Sequence, residues 1–171
     1  MITDNQDEIF DIVDGNDQVI GKARRGEVHG NKYLIHRSIG VIVVNDKGEI
    51  FLQQRSNTKD TDPLKWTISV SGHVERGDTY ENAAKRELQE EIGINVPIIP
   101  FDKFIYRGEQ ETEVSQLFKA ISNGPFQLNK EEIIQGKFFT LKELIRLIKS
   151  GKIELSNMGK ETLKHFGWKT D

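Results

Sequence analysis

The chain of 171 residues contains no cysteine, which removes disulfides, thiolate nucleophiles and sulfur-bound zinc from consideration. No stretch approaches the roughly 18 consecutive apolar residues of a membrane-spanning helix, and the opening residues, Met-Ile-Thr-Asp-Asn-Gln-Asp-Glu, lack the basic and apolar regions of a secretory signal. A cytoplasmic location and no membrane partner are therefore expected. Positive charge is not in excess either: 24 Lys and Arg face 27 Asp and Glu, with no basic stripe, so no nucleic-acid partner is expected. A local basic pocket for a small anion is still compatible with that balance. Internal repeats, low-complexity tracts and linker-like composition are also lacking, and one domain spanning residues 1–171 is the expectation.

What is present describes a globular protein, with 36% apolar and 30% charged residues of both signs. A chain of this length can bury roughly two thirds of the surface it exposes when unfolded. Ile9–Val13 and Gln18–Ala23 flank Asp14-Gly15-Asn16-Asp17 and predict a β-hairpin within an N-terminal extension, residues 1–30, to which a structural role is assigned. The β-branched run Ile39–Asn45, the turn Asp46-Lys47-Gly48 and the segment Glu49–Gln54 predict a second, central hairpin. Further strands are expected at Trp66–Val70, Ile99–Tyr106, Val114–Ile121 and Lys137–Phe139. Helices are expected from about Thr79 to Ile92, from Leu141 to Lys149 after a Thr140/Glu143 capping box, and from Met158 to His165. The simplest architecture is one mixed sheet with helices packed on it.

The segment 72–94 carries the strongest signal. As a helix it turns Ala83, Ala84, Leu88 and Ile92 toward the sheet, while Glu87, Glu90 and Glu91, at i, i+3 and i+4, share another stripe. Like charges so spaced repel unless a hard cation is shared among them. Three glutamates alone would describe a solvated acidic face. The whole segment, however, resembles the Nudix box in register at Gly72, Arg86, Glu87, Leu88, Glu90, Glu91, Gly93 and Ile94, departing only at Asp78, where that family has Glu. The resemblance implies a Nudix-type α/β/α sandwich, MutT-like, belonging to the α/β (α+β) class. It also implies Mg²⁺ (or Mn²⁺) on Glu87, Glu90, Glu91 and the Gly72 carbonyl, Arg86 orienting the carboxylates, and water attacking phosphorus in a small-molecule diphosphate substrate. Glu131 and Glu132 fall where some relatives place a general base.

A second likeness, from Glu8 to about Ala120, is to the isopentenyl-diphosphate isomerase branch of that superfamily. His29, His36, His73, Glu111 and Glu113 stand at the places of its metal ligands, implying a second metal or substrate site, and Arg55 and Lys59 at the places that grip diphosphate. Three imidazoles and two carboxylates suit Mg²⁺, Mn²⁺ or Zn²⁺. Arg25 and Arg37 are weaker phosphate candidates. The isomerases carry a cysteine where Ser71 stands, and a serine hydroxyl is a poor proton shuttle without an activating base. Their C-terminal tryptophan has no clear counterpart, Trp168 lying in a different setting. With the box glutamates complete, hydrolysis of a nucleoside diphosphate derivative or similar phosphorylated metabolite is expected over isomerisation. The alternatives are an isomerase with Ser71 in the cysteine's place, or a ligand sensor without turnover. For quaternary structure, the hairpin either covers the sheet edge or pairs with another subunit in a homodimer.

Overall fold

In the computed structural model, which describes residues 5–170, the N-terminal hairpin forms as strands β1 (Ile9–Val13) and β2 (Val19–Arg24), followed by a single helical turn, α1 (Arg25–Val28). The main sheet then takes up β3 (Ile35–Val44), β4 (Ile50–Arg55), β5 (Trp66–Thr67), β6 (Val70–His73), β7 (Ile98–Arg107), β8 (Thr112–Ile121) and β9 (Ile133–Phe139). Three helices complete it: α2 (Tyr80–Ile92), α3 (Leu141–Lys149) and α4 (Asn157–His165).

Strand β3 is the axis of the molecule. It runs parallel to β8 over all ten residues, from Ile35↔Thr112 to Val44↔Ile121, and antiparallel to β6 from Ser38↔His73 to Val41↔Val70. Strand β7 closes one edge against β8. Alternation then assigns the two faces of β3. Ile39, Val41 and Val43 pack with Ala83, Ala84, Leu88 and Ile92 of α2, and Ile42 and Val44 pack with Leu144 of α3 and Leu163 of α4. Helices on both faces make the α/β/α sandwich.

The central hairpin exists only at its tip. Strands β3 and β4 share the single pair Val44↔Ile50 and then part, because β6 takes the edge of β3 while β5 and β9 flank β4. The hydroxyl of Ser69, fully buried, spans the opening: it accepts from the Val43 amide at 2.8 Å and donates to the Phe51 carbonyl at 2.5 Å. Two backbone groups that the split would orphan are thereby satisfied. The expected strand at Trp66–Val70 is likewise two short strands with different partners, and the last strand begins at Ile133 rather than Lys137.

Helix α2 starts and stops where the sequence places it. The Thr79 hydroxyl accepts from the Asn82 amide, and Gly93, at φ 71°, takes the left-handed conformation that ends the helix. At α3 the Thr140 hydroxyl accepts from the Glu143 amide, while the Glu143 carboxylate turns away to Lys137 at 2.8 Å, so half of the expected capping box forms. The N-terminal hairpin does more than brace the sheet. Arg37 and Tyr80 hold its turn residue Asp17 at 2.6 and 3.0 Å, Lys103 also bonds it, and Phe10 enters against the rings of His36 and His73.

Candidate functional site

The three glutamates of α2 run from the core to solvent rather than sharing one environment. Glu91 is buried at 4% exposure, Glu87 is largely covered and Glu90 stands at the rim. Helical spacing causes this, since each residue turns about 100° and Glu91 lies closest to the apolar stripe of Leu88 and Ile92. Gly72 is required where it is: a Cβ there would collide with Cδ of Glu87, so glycine lets that carboxyl lie against the backbone of β6. Arg86 Nη1 bridges Glu87 at 2.8 Å and Glu90 at 3.3 Å, and its Nη2 donates to the His73 carbonyl at 3.2 Å. Gln53 Nε2, on β4, donates to Glu91 and to the Ser69 carbonyl. Asp78 accepts from the Thr79 amide at 2.7 Å, at the helix entrance.

Burial dominates the electrostatics. It pushes the Glu87 carboxyl up to about 7, with Glu90 and Glu132 adding repulsion against the pull of Arg86. Burial, with Glu87 and Glu132 beside it, lifts Glu91 well above the carboxylate range. Of the two acidic residues ahead of β9, then, Glu132 is the one whose field reaches the box carboxylates. Glu131 and Glu132 both line the same cavity, and Lys59 lies 3.4 Å from Glu132.

On the other face of β3 a second cluster assembles. His36 and Ser38 alternate on that face, His36 sits in register with Glu113 and Ser38 with His73, and His29 arrives from the end of α1. Ligand atoms of His29, His36 and His73 lie within 4.8 Å of one another, as do those of His36, Glu111 and Glu113. His36 is fully buried, and neither ring nitrogen has a hydrogen-bond partner. A buried imidazole with two idle nitrogens, ringed by carboxylates, fits a cation. Burial drives the His36 pKa down to about 3 and holds His73 well below the imidazole range, so both present neutral rings. Burial, and then Glu113, pushes Glu111 up to about 7, and burial raises Glu113 as well.

A cavity of about 280 Å³ joins the two clusters and is lined by Gly72, His73, Arg86, Glu87, Glu90, Glu111, Glu113, Arg55 and Lys59 together with Ser71. Arg55 is braced by Thr61, donating to its carbonyl at 3.0 Å and to its hydroxyl at 3.1 Å. Arg25 also reaches the cavity, whereas Arg37 does not: alternation on β3 sends it to the opposite face from His36, where it holds Asp17. Trp168 packs against the α3/α4 core. Sequence reasoning passed over Gln53, Glu8, Asp60 and, Ser71 apart, the hydroxyl-bearing residues of the cavity, none of which belongs to a spaced motif.

The family model for the NUDIX domain matches residues 34–159. An uncharacterised Nudix hydrolase of Nostoc sp. is 32% identical over 155 residues, covering 88% of this chain and 91% of the relative. The isopentenyl-diphosphate Delta-isomerase 2 of Photorhabdus laumondii is 33% identical over 147 residues, covering 83% and 82%. A Deinococcus radiodurans protein of known crystal structure shares the fold with a TM-score of 0.81 at 23% identity, covering 93% of this chain and 99% of that one.

Proposed function

The chain belongs to the Nudix domain family, and from that premise we propose that it is a divalent-metal-dependent hydrolase that splits the diphosphate link of a small hydroxylated metabolite, such as a nucleoside diphosphate derivative. The observation that carries this reading is a pair of carboxyls, Glu87 largely covered and Glu91 buried, with Glu132 crowding both and Glu90 crowding Glu87, beside a polar cavity. Mg²⁺ or Mn²⁺ held by Glu87, Glu90, Glu91 and the Gly72 carbonyl would neutralise phosphate charge and acidify water. Arg86 keeps Glu87 and Glu90 aimed together. Arg55, with its planar donors, and Lys59, as a point charge, are placed to bind phosphate oxygens at the other wall. Glu132 is the favoured acceptor for the proton that the attacking water gives up as its oxygen joins phosphorus and the bridging oxygen leaves.

The floor of the cavity indicates what the rest of the substrate is made of. Ser38, Thr67, Ser71, Ser115, Ser156 and Thr162 line it, with Ile39, Ile68 and Met158 as the apolar side chains among them. Hydroxyls at this density favour a group that can hydrogen-bond and leave a prenyl chain poorly solvated. The test is a phosphate-release screen with Mg²⁺ or Mn²⁺ over nucleoside diphosphates, sugar nucleotides and prenyl diphosphates, repeated with Glu91→Gln and in excess chelator. Release that survives both the substitution and the chelator would overturn the reading.

A second reading, isomerisation of a prenyl diphosphate with Ser71 in the cysteine's place, is favoured by the Photorhabdus relative and by the five-residue cluster, in which we place a second cation. Deuterium from the solvent appearing in dimethylallyl diphosphate made from isopentenyl diphosphate would select it.

A further inference from the structure

The strand and box residues of the histidine cluster have their positions fixed by the sheet, but His29 hangs from the end of a single helical turn, and its orientation needs another cause. That cause is a residue in the loop between β4 and β5. Asp60 Oδ2 lies 2.9 Å from His29 Nδ1, and the same carboxylate takes Arg25 Nε at 3.0 Å and Arg25 Nη2 at 3.4 Å. Arg25, which can only donate, reaches both oxygens of Asp60, so the carboxylate is left to accept from His29 as well. The proton on His29 therefore sits on Nδ1. Its Nε2 lies 3.3 Å from His73 Nε2 and 3.7 Å from Glu111.

We propose that Asp60 is a positioning residue of the histidine cluster, fixing the tautomer of His29 so that a bare Nε2 faces His36, His73 and Glu111 and the cation they would hold. This rests on the reading that the cluster binds an ion. A carboxylate behind a ligating imidazole both orients the ring and raises its basicity.

Long-range ¹H–¹⁵N correlation on the metal-free protein is expected to show His29 as the Nδ1–H tautomer, and an Nε2–H tautomer overturns the proposal. Calorimetric titration with Zn²⁺ should then give affinity about 10–100-fold weaker in Asp60→Ala than in the wild type. Asp60→Asn, which retains an acceptor oxygen, should recover part of that loss. Equal affinities in all three proteins overturn the proposal. Should Asp60→Ala lack a cooperative melt, the wild-type tautomer decides alone. His36→Ala separates the two layers: Zn²⁺ binding lost in His36→Ala but kept in folded Asp60→Ala sinks only the role of Asp60. Binding indifferent to His36→Ala sinks the ion-holding reading and this proposal with it.

Discussion

At the scale of single residues, the box glutamates oppose the stability of the fold that carries them. Glu91 is buried and its carboxyl is raised, so at neutral pH the metal-free fold must either hold a proton there or desolvate a charge. Glu91→Gln keeps the size of the side chain and an acceptor for Gln53. It is expected to lower turnover on the order of 10²-fold or more. The same variant should raise the metal-free melting temperature on the order of 5 °C at pH 8, with the gain disappearing near pH 4, where the unfolded carboxyl is protonated too. Melting curves at the two pH values check it, and a variant less stable at pH 8 would contradict the electrostatic account. The residue scale also shows what a sequence can and cannot reveal. Glu87, Glu90 and Glu91 were legible because helical periodicity and a fixed register group them within five residues. Arg37 stood among the phosphate candidates, yet it lies on the opposite face of β3 from His36 and is taken up by Asp17, a contact that only the docking of the hairpin creates. Asp60 was not legible, because loop closure alone brings it to His29, 31 residues earlier in the chain.

Among the elements, the split between β3 and β4 depends on one hydroxyl. Ser69→Ala would strip partners from the buried Val43 amide and Phe51 carbonyl and is expected to destabilise the protein by about 2–3 kcal/mol, about 5–10 °C in melting temperature. A loss under 1 °C would mean that water replaces the hydroxyl. The docking of the N-terminal hairpin depends on Asp17, a non-glycine residue at φ 63° that receives Arg37, Tyr80 and Lys103. Asp17→Ala loses these bonds and tolerance of the left-handed conformation, with an expected cost of about 1–2 kcal/mol. Burial works against the Asp17 carboxylate, but its hydrogen bonds hold it below the ordinary value of 3.8. Its stabilising share is thus complete above that value and fades as pH falls through the folded value, so the gap between wild type and variant should narrow in acid melts. Helix ends were legible because caps are local chemistry, as at Thr79 and Gly93. The parting of β3 from β4 was not: the turn at Asp46-Lys47-Gly48 reads as a plain hairpin, and only the competition of β6, β5 and β9 for its strands undoes it.

For the whole molecule, the two clusters set opposing pH dependences. His36 and His73 refuse protons in the fold that the unfolded chain accepts below the ordinary 6.5, so stability rises with pH up to that value. Glu87 and Glu111, near 7, and Glu91, well above its ordinary 4.5, keep protons that the unfolded chain has released above 4.5, so they lower stability as pH climbs from 4.5 until each folded carboxyl has ionised. Above pH 6.5 the histidines no longer offset the glutamates, and the metal-free protein should lose melting temperature toward pH 8.5. Saturating Mn²⁺ should remove that decline, since a ligand bound only by the fold stabilises it by mass action. Thermal melts in chelator and in Mn²⁺ across this range make the comparison, and a metal-free protein that gains stability from pH 6.5 to 8.5 would refute it.

The family match begins at residue 34, yet Glu8, Phe10, Arg25 and His29 all precede it. A shortened chain starting at that boundary would retain the sandwich's strands and the acidic helix while losing one imidazole of the histidine cluster and the rings and charges that wall it in. On the proposed reading, an appendage of some thirty residues decides whether this scaffold offers one cation cradle or two, and grafting or deleting such a piece is a route by which a common hydrolase frame could acquire or lose a second chemistry without altering its core.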